Sequence, residues 1–239
     1  MVSSWRERAP RSAKGAGPTR HRWILALWLA WALAAVAIAP ALAEAACGRA
    51  KRFAASSDAG FGKPPLAIGD SVLLGAAEEA AAIGYDVDVR GCRQFAEGLE
   101  VLRRRASRGA LPRLVVIALG SNWSITDADV REALRILGPR RLLGLVTPRE
   151  VRGTPLDDAA TLRGAAARWP RRIELVDWVA RTRRQRGLTY RDGIHLTALG
   201  QRTLATLLAA PLARVAPGDQ TPPPAAGGGK ANGGGAAAP

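Results

Sequence analysis

The chain has 239 residues, 48% of them hydrophobic and 23% charged, which suits one medium domain with appendages and excludes a wholly disordered chain. Its formal charge is +15, carried mainly by Arg, since only Lys14, Lys51, Lys63 and Lys230 are lysines among 35 basic residues. Two His and two Cys are too few for a four-ligand structural zinc site, and no GxxxxGK[ST] or GxGxxG run offers a nucleotide cradle, so no metal or cofactor is expected.

Residues 1–22 form a basic leader, with Arg6, Arg8, Arg11, Lys14, Arg20 and Arg22 against Glu7 alone. An uncharged run follows from Trp23 to Ala39, then Pro40 and the small-residue stretch Ala41-Leu42-Ala43. Residues 23–43 therefore read as a signal peptide or as a single transmembrane anchor, with everything beyond them outside the cytoplasm. Cys47 does not read as a lipoprotein cysteine, because Glu44 stands where that signal wants an apolar residue. Of the +15, residues 1–43 carry six basic residues and one acidic, so +10 remains on the exported part. Outside the cytoplasm this charge argues for solvated helix faces, lipid headgroups or wall polymer, and against nucleic acid.

Residues 44–63 read as a linker and 64–214 as the folded unit. Residues 215–239, rich in Pro, Gly and Ala with no large apolar residue after Val215, read as a disordered tail. Within the folded unit, short apolar runs alternate with helical patterns. Leu66–Ile68, Val87–Val89, Leu114–Leu119, Leu142–Val146 and Ile173–Val176 are the expected strands. Ser71–Ile83, Gln94–Arg105, Asp127–Leu137, Leu156–Arg168, Trp178–Arg186 and Ala198–Ala209 are the expected helices. Leu114–Leu119 is apolar throughout, as a strand covered on both faces should be. The alternation predicts an α/β fold, a five-stranded parallel sheet between helical layers, with its site beyond the carboxyl ends of the strands. Trp169 and Trp178, flanking the fifth strand, read as core.

The strand ends carry the chemistry. Gly69-Asp70-Ser71 follows the first strand, and Ser71 would stand in the strand-to-helix turn. By itself the tripeptide reads equally as an ordinary N-cap. Gly91 follows the second strand. Gly120-Ser121-Asn122 follows the third. Gly91 and Asn122 would offer a backbone N–H and a side-chain amide beside the Ser71 N–H, the parts of an oxyanion hole, although Gly and Asn are also turn residues. Near the end of the domain, Asp192-Gly193-Ile194-His195 holds the one His beyond the leader. A Ser hydroxyl needs such a base, and a carboxylate three residues away can orient the imidazole. The alternative is that Asp192 caps the last helix and His195 is incidental.

Taken together, the order Ser…Gly…Asn…Asp-x-x-His resembles the SGNH (GDSL-type) hydrolase superfamily over the whole folded unit. Gly69–Ser71, Gly91, Gly120–Asn122 and Asp192–His195 match its motif blocks. The phrases GDSVLLGA, RQFAEGLEVL, ELVDW and DGIHLT look like the extracytoplasmic SGNH domains of bacterial cell-surface O-acyltransferases. The resemblance implies a flavodoxin-like three-layer α/β/α SGNH hydrolase fold. It implies Ser71 as nucleophile, His195 as base, Asp192 as its orienter, and Ser71, Gly91 and Asn122 as oxyanion donors, without a cofactor.

In those relatives the domain usually follows a multi-span membrane acyltransferase, whereas one apolar run is present here. Acyl transfer would therefore call for a separate membrane partner that supplies the acyl group. The expected function is that of an exported serine esterase or O-acyltransferase acting on ester groups of cell-envelope glycans. The alternative is a non-catalytic module that binds wall polymer on the same fold. Trp123, next to Asn122, is a candidate sugar-stacking residue or simply loop packing. Cys47 and Cys92 are a candidate disulfide that would pin the linker beside Gly91; the alternatives are free thiols or pairing with another chain.

Overall fold

The apolar runs Leu66–Gly69, Leu114–Ala118 and Leu142–Val146 are buried along their whole length and pair into one sheet with neither face given to solvent. In the computed structural model, which describes residues 47–56, 62–150 and 157–215, the strands are β1 (Lys51–Phe53), β2 (Leu66–Gly69), β3 (Asp86–Val89), β4 (Leu114–Ala118), β5 (Leu142–Val146) and β6 (Ile173–Val176). The helices are α1 (Ser71–Gly75), α2 (Ala77–Ala82), α3 (Phe95–Ser107), α4 (Asp127–Leu137), α5 (Asp158–Arg168), α6 (Trp178–Arg184) and α7 (Ala198–Ala213). The basic leader, the apolar run and the Pro/Gly/Ala tail lie outside the described residues. Among the described residues no helix is long and apolar enough to cross a membrane.

The strand order is β1-β3-β2-β4-β5-β6, with β2 to β6 parallel. The five expected strands are thus present, and the sheet has a sixth. Strand β1 lies in the segment read as a linker and pairs antiparallel with β3, Lys51 opposite Val89 and Phe53 opposite Val87. It was not expected because Lys51 and Arg52 are polar and exposed; it is an edge strand held by backbone pairing to β3, with Phe53 packed on the core and Arg52 bonded to Asp88.

Side chains alternate across the sheet with the period of two that strands impose. Ala67, Leu114, Val116 and Ala118 pack on one face against Leu73, Ala77, Ala80, Trp178, Leu204 and Leu208 of α1, α2, α6 and α7. Leu66, Ile68, Val115 and Ile117 pack on the other against Phe95, Leu99, Leu102, Val130, Leu137 and Leu162 of α3, α4 and α5. The layers are therefore helix, sheet, helix. Trp178 is buried as expected, while Trp169 is only half-buried, its ring covered by the Arg168 guanidinium at 5.1 Å.

Two helices depart from expectation. The stretch Ser71–Ile83 is not one helix but two, broken at Ala76, whose N–H bonds back three residues to Leu73 O. Gly75 is the cause within the sequence, since Gly is a poor interior helix former. The last helix runs to Ala213, four residues beyond the expected end, with Pro211 in its final turns.

Leaving β3, the chain meets Cys47. A Cys47–Cys92 disulfide ties the segment preceding β1 to the turn after β3, so the candidate pairing is the one formed. It closes a loop of 45 residues, for which the chain-entropy model gives ~4 kcal/mol. Replacing both cysteines by Ser should lower the thermal midpoint by about 10 °C, measured by calorimetry. A thiol titration that finds two free sulfhydryls before reduction contradicts the pairing.

Candidate active site

With β3 and β4 on either side of β2, the chain leaves β2 in one direction along the sheet and β4 in the other. This is the topological switch point at which α/β sheets open a crevice. The parallel register sets Gly69 opposite both Val89 and Ala118, so the turns after β2, β3 and β4 emerge side by side. They carry Ser71, Gly91 and Asn122 respectively.

At the end of β2, Asp70 caps α1, its Oδ1 accepting from the Val72 N–H at 2.9 Å. Ser71 is the first residue of that helix, so its own N–H has no partner in the helical ladder. The other Asp70 oxygen, Oδ2, accepts from Asn122 Nδ2 at 3.1 Å. That bond crosses from one strand-end turn to the next and fixes which way the Asn122 amide faces; the second hydrogen on Nδ2 is left over. Asp70 is fully buried, and this burial pushes its carboxyl up from 3.8 to about 6, against the backbone N–H of Val72 and the nearby His195, which favour the anion.

Gly91 sits where the chain passes close to the disulfide. A side chain there would meet Cys47 O, 2.5 Å from the position of its Cβ. Cys92 follows in the left-handed region, φ 55°. Trp123 is two-thirds exposed beside the site, at 66%. The loop beyond it is tied down by buried Asp158, which accepts from the Ile125 N–H at 2.8 Å and whose carboxyl is pushed up to about 6 mainly by desolvation.

The remaining piece is the loop between α6 and α7. An isolated bridge between Thr189 and Leu196, with Tyr190 N–H donating to His195 O at 2.9 Å, closes it. Gly193 turns it at φ 75°, a conformation that favours glycine, and its carbonyl accepts from Arg149 Nε. Asp192 Oδ1 accepts from the N–H groups of Ile194 (2.9 Å) and His195 (3.1 Å), and Oδ2 lies 2.7 Å from His195 Nδ1. The Ile194 N–H first, then the His195 ring, hold the Asp192 carboxyl below its ordinary range. Being an ionised acceptor, Asp192 assigns the ring hydrogen to Nδ1 and leaves Nε2 as an acceptor. Ser71 Oγ lies 3.0 Å from that nitrogen and donates to it. Asp192 does not cap the last helix; Thr197 does, accepting from the Gly200 N–H.

Ser71, His195 and Asp192 thus form one chain of hydrogen bonds, and Asn122 joins it through Asp70. Gly91 stands on the adjacent turn. His195 and Asp192 are about half exposed, at 51% and 46%, so the site is open to large substrates. Among the described residues no cluster of three or more His, Cys, Asp or Glu is placed to hold a metal ion. Among the supports that sequence reasoning missed are the Asp70–Asn122 tie, because Asp70 reads as a simple cap, and Arg149, which gives no local signal.

No family model matches the chain. It is 28% identical over 148 residues to a candidate peptidoglycan O-acetyltransferase of Bacillus subtilis (strain 168), YrhL, covering 61% of this chain and 23% of that protein. The chain thus spans under a quarter of the length of this relative. Among solved structures it is similar to the C-terminal catalytic domain of Streptococcus pneumoniae peptidoglycan O-acetyltransferase A, with a TM-score of 0.58 at 23% identity over 64% of this chain and 94% of that one. It is also similar to a candidate SGNH hydrolase from Slackia heliotrinireducens, with a TM-score of 0.51 at 22% identity over 63% and 98%. The fold is that of the SGNH hydrolases. The carboxyl end of the sheet, where Ser71 follows β2, is also the end reached by the Asp192–His195 loop.

Burial of the Asp70 carboxyl has a measurable cost at neutral pH. A carboxyl raised on folding contributes most below its unfolded pKa and loses that contribution as pH rises through the folded value. From 3.8 to about 6 this is about 3 kcal/mol. Urea unfolding at pH 4 and pH 7 should therefore show wild type losing up to that much stability relative to Asp70→Asn between the two pH values. A pH-independent difference contradicts it.

Proposed function

We propose that this protein is a serine esterase or O-acyltransferase that works through an acyl-serine on ester groups, above all O-acetyl groups, of cell-envelope glycans outside the cytoplasm. The observation that carries the reading is the Ser71–His195–Asp192 hydrogen-bond chain at the switch point of the sheet.

In this reading Ser71 Oγ attacks the ester carbonyl while His195 Nε2 takes its proton, and Asp192 stabilises the imidazolium that results. The carbonyl oxygen becomes an oxyanion and is met by the N–H groups of Ser71 and Gly91 and the remaining N–H of Asn122. His195 then protonates the departing alcohol oxygen as the C–O bond breaks, leaving Ser71 acylated. In the second half His195 deprotonates water or a sugar hydroxyl, which attacks the acyl carbonyl; the imidazolium then returns the proton to Ser71 Oγ as the acyl C–Oγ bond breaks. The first acceptor makes an esterase and the second a transferase. No cofactor is required by this sequence of steps.

Several observations support the glycan and the compartment. The relatives similar to this chain bear names that refer to peptidoglycan O-acetylation. The half-exposed site admits a polymer, and Trp123 offers a face for a sugar ring. A disulfide suits an oxidising compartment, as do the leader and apolar run read as signal or anchor. A membrane partner would supply the acyl group for transfer. Nucleic acid is not a partner in this reading, because the Arg-rich surface is laced with carboxylates, as where Arg103 meets both Glu100 and Glu132.

The test is turnover of a chromogenic acetyl ester by purified protein, with and without a soluble peptidoglycan fragment. Ser71→Ala should lower kcat at least ~10³-fold. Acetate released to water marks an esterase, and acetyl appearing on the fragment marks a transferase. Equal behaviour of wild type and Ser71→Ala contradicts the enzyme and leaves the wall-polymer-binding module.

A further inference from the structure

Arg93 is buried, with a side chain 4% exposed, in a protein whose other arginines are mostly solvated. Burying a guanidinium costs several kcal/mol before its partners are counted, and an apolar side chain of similar volume fills such space at least as well. Its bonds therefore need a reason beyond packing. Nη2 pairs with Asp88 Oδ1 at 2.7 Å. Nη1 donates to two carbonyls, Asp88 O at 2.5 Å and Gly69 O at 3.3 Å. Gly69 is the last residue of β2 and precedes Asp70-Ser71; Asp88 is the next-to-last residue of β3 and precedes Arg90-Gly91. The guanidinium thus links the ends of the two strands whose turns carry Ser71 and Gly91.

The turn after β3 is fixed from both sides. The Arg93 N–H donates to Arg90 O at 3.3 Å, and the Arg90 N–H to Gly69 O at 3.2 Å. On the outer side, Cys92 takes a left-handed conformation and is bridged to Cys47, and Cys47 O lies against Gly91. Asp88 is itself shared with Arg52 of β1 at 3.1 Å. Donors to an oxyanion act only when held within a few tenths of an ångström of the charge that develops.

Resting on the catalytic reading above, we propose that Arg93 is a positioning residue that sets the Gly91 turn against the Ser71 turn, and so shapes the oxyanion pocket without touching substrate. A lysine offers one point of charge, where the planar guanidinium bonds both carbonyls and the carboxylate together.

The experiment compares Arg93→Lys and Asp88→Asn with wild type and Ser71→Ala. Active sites are first counted by the end-point of a phosphonofluoridate reaction, so that kcat is expressed per reactive serine and misfolded molecules drop out. Arg93→Lys should lose ~10–100-fold in kcat per titrated site, with KM and the pH profile of kcat/KM unchanged. Asp88→Asn, which keeps both carbonyl bonds, should lose less. Wild-type kcat per titrated site in Arg93→Lys overturns the positioning role, whatever the yield of folded protein. Full activity in Ser71→Ala would instead overturn the catalytic reading on which it rests.

Discussion

A single hydrogen bond, Ser71 to His195, joins residues 124 positions apart, and most of the architecture serves to make it possible. Neither side chain can find the other through local structure. Ser71 is placed by β2, whose central position depends on both faces being apolar. His195 is placed by a loop whose two ends are the first turn of α7 and the backbone bonds to Leu188 and Tyr190. Were β2 shifted by one residue, Leu66 and Ile68 would change faces with Ala67, and Ser71 would leave the shared edge. Core packing and site geometry are therefore the same constraint seen from two sides.

Around that bond the protein accepts local costs. Asp70 is buried and faces a hydrogen-bond network that includes Asn122. Arg93 and Asp88 form a buried ion pair beneath the adjacent turn. Cys92 takes a conformation that residues other than Gly adopt infrequently. Each lies within a few residues of the proposed nucleophile or oxyanion donors. By contrast, the ion pairs far from the site, such as Arg131 with Asp127, are exposed and contribute little.

Much of this was legible in the chain. The run Leu114–Leu119 has no polar residue, so it announced a strand covered on both faces, and the following Gly-Ser-Asn announced a turn at its end. Asp192 and His195 sit three apart in a glycine-bearing loop, and that short spacing suffices for the bond between them. The edge strand Lys51–Phe53 was not legible, since its stability comes from backbone pairing to β3 and from a covalent link that sequence alone leaves open. The break at Ala76 was not legible, because a lone glycine such as Gly75 is tolerated inside many helical patterns. The Asp70–Asn122 tie and the Arg93 clamp were invisible because each joins turns that only the strand order brings together. One arginine in an arginine-rich chain carries no mark of burial.

The central claim is that the Ser71 hydroxyl is activated by His195. It is tested most directly by mass spectrometry of intact protein after brief exposure to a sulfonyl fluoride, followed by peptide mapping. The account predicts one adduct, on Ser71, formed at a rate that falls sharply in His195→Gln. An adduct elsewhere, or equal labelling rates in both proteins, would contradict it.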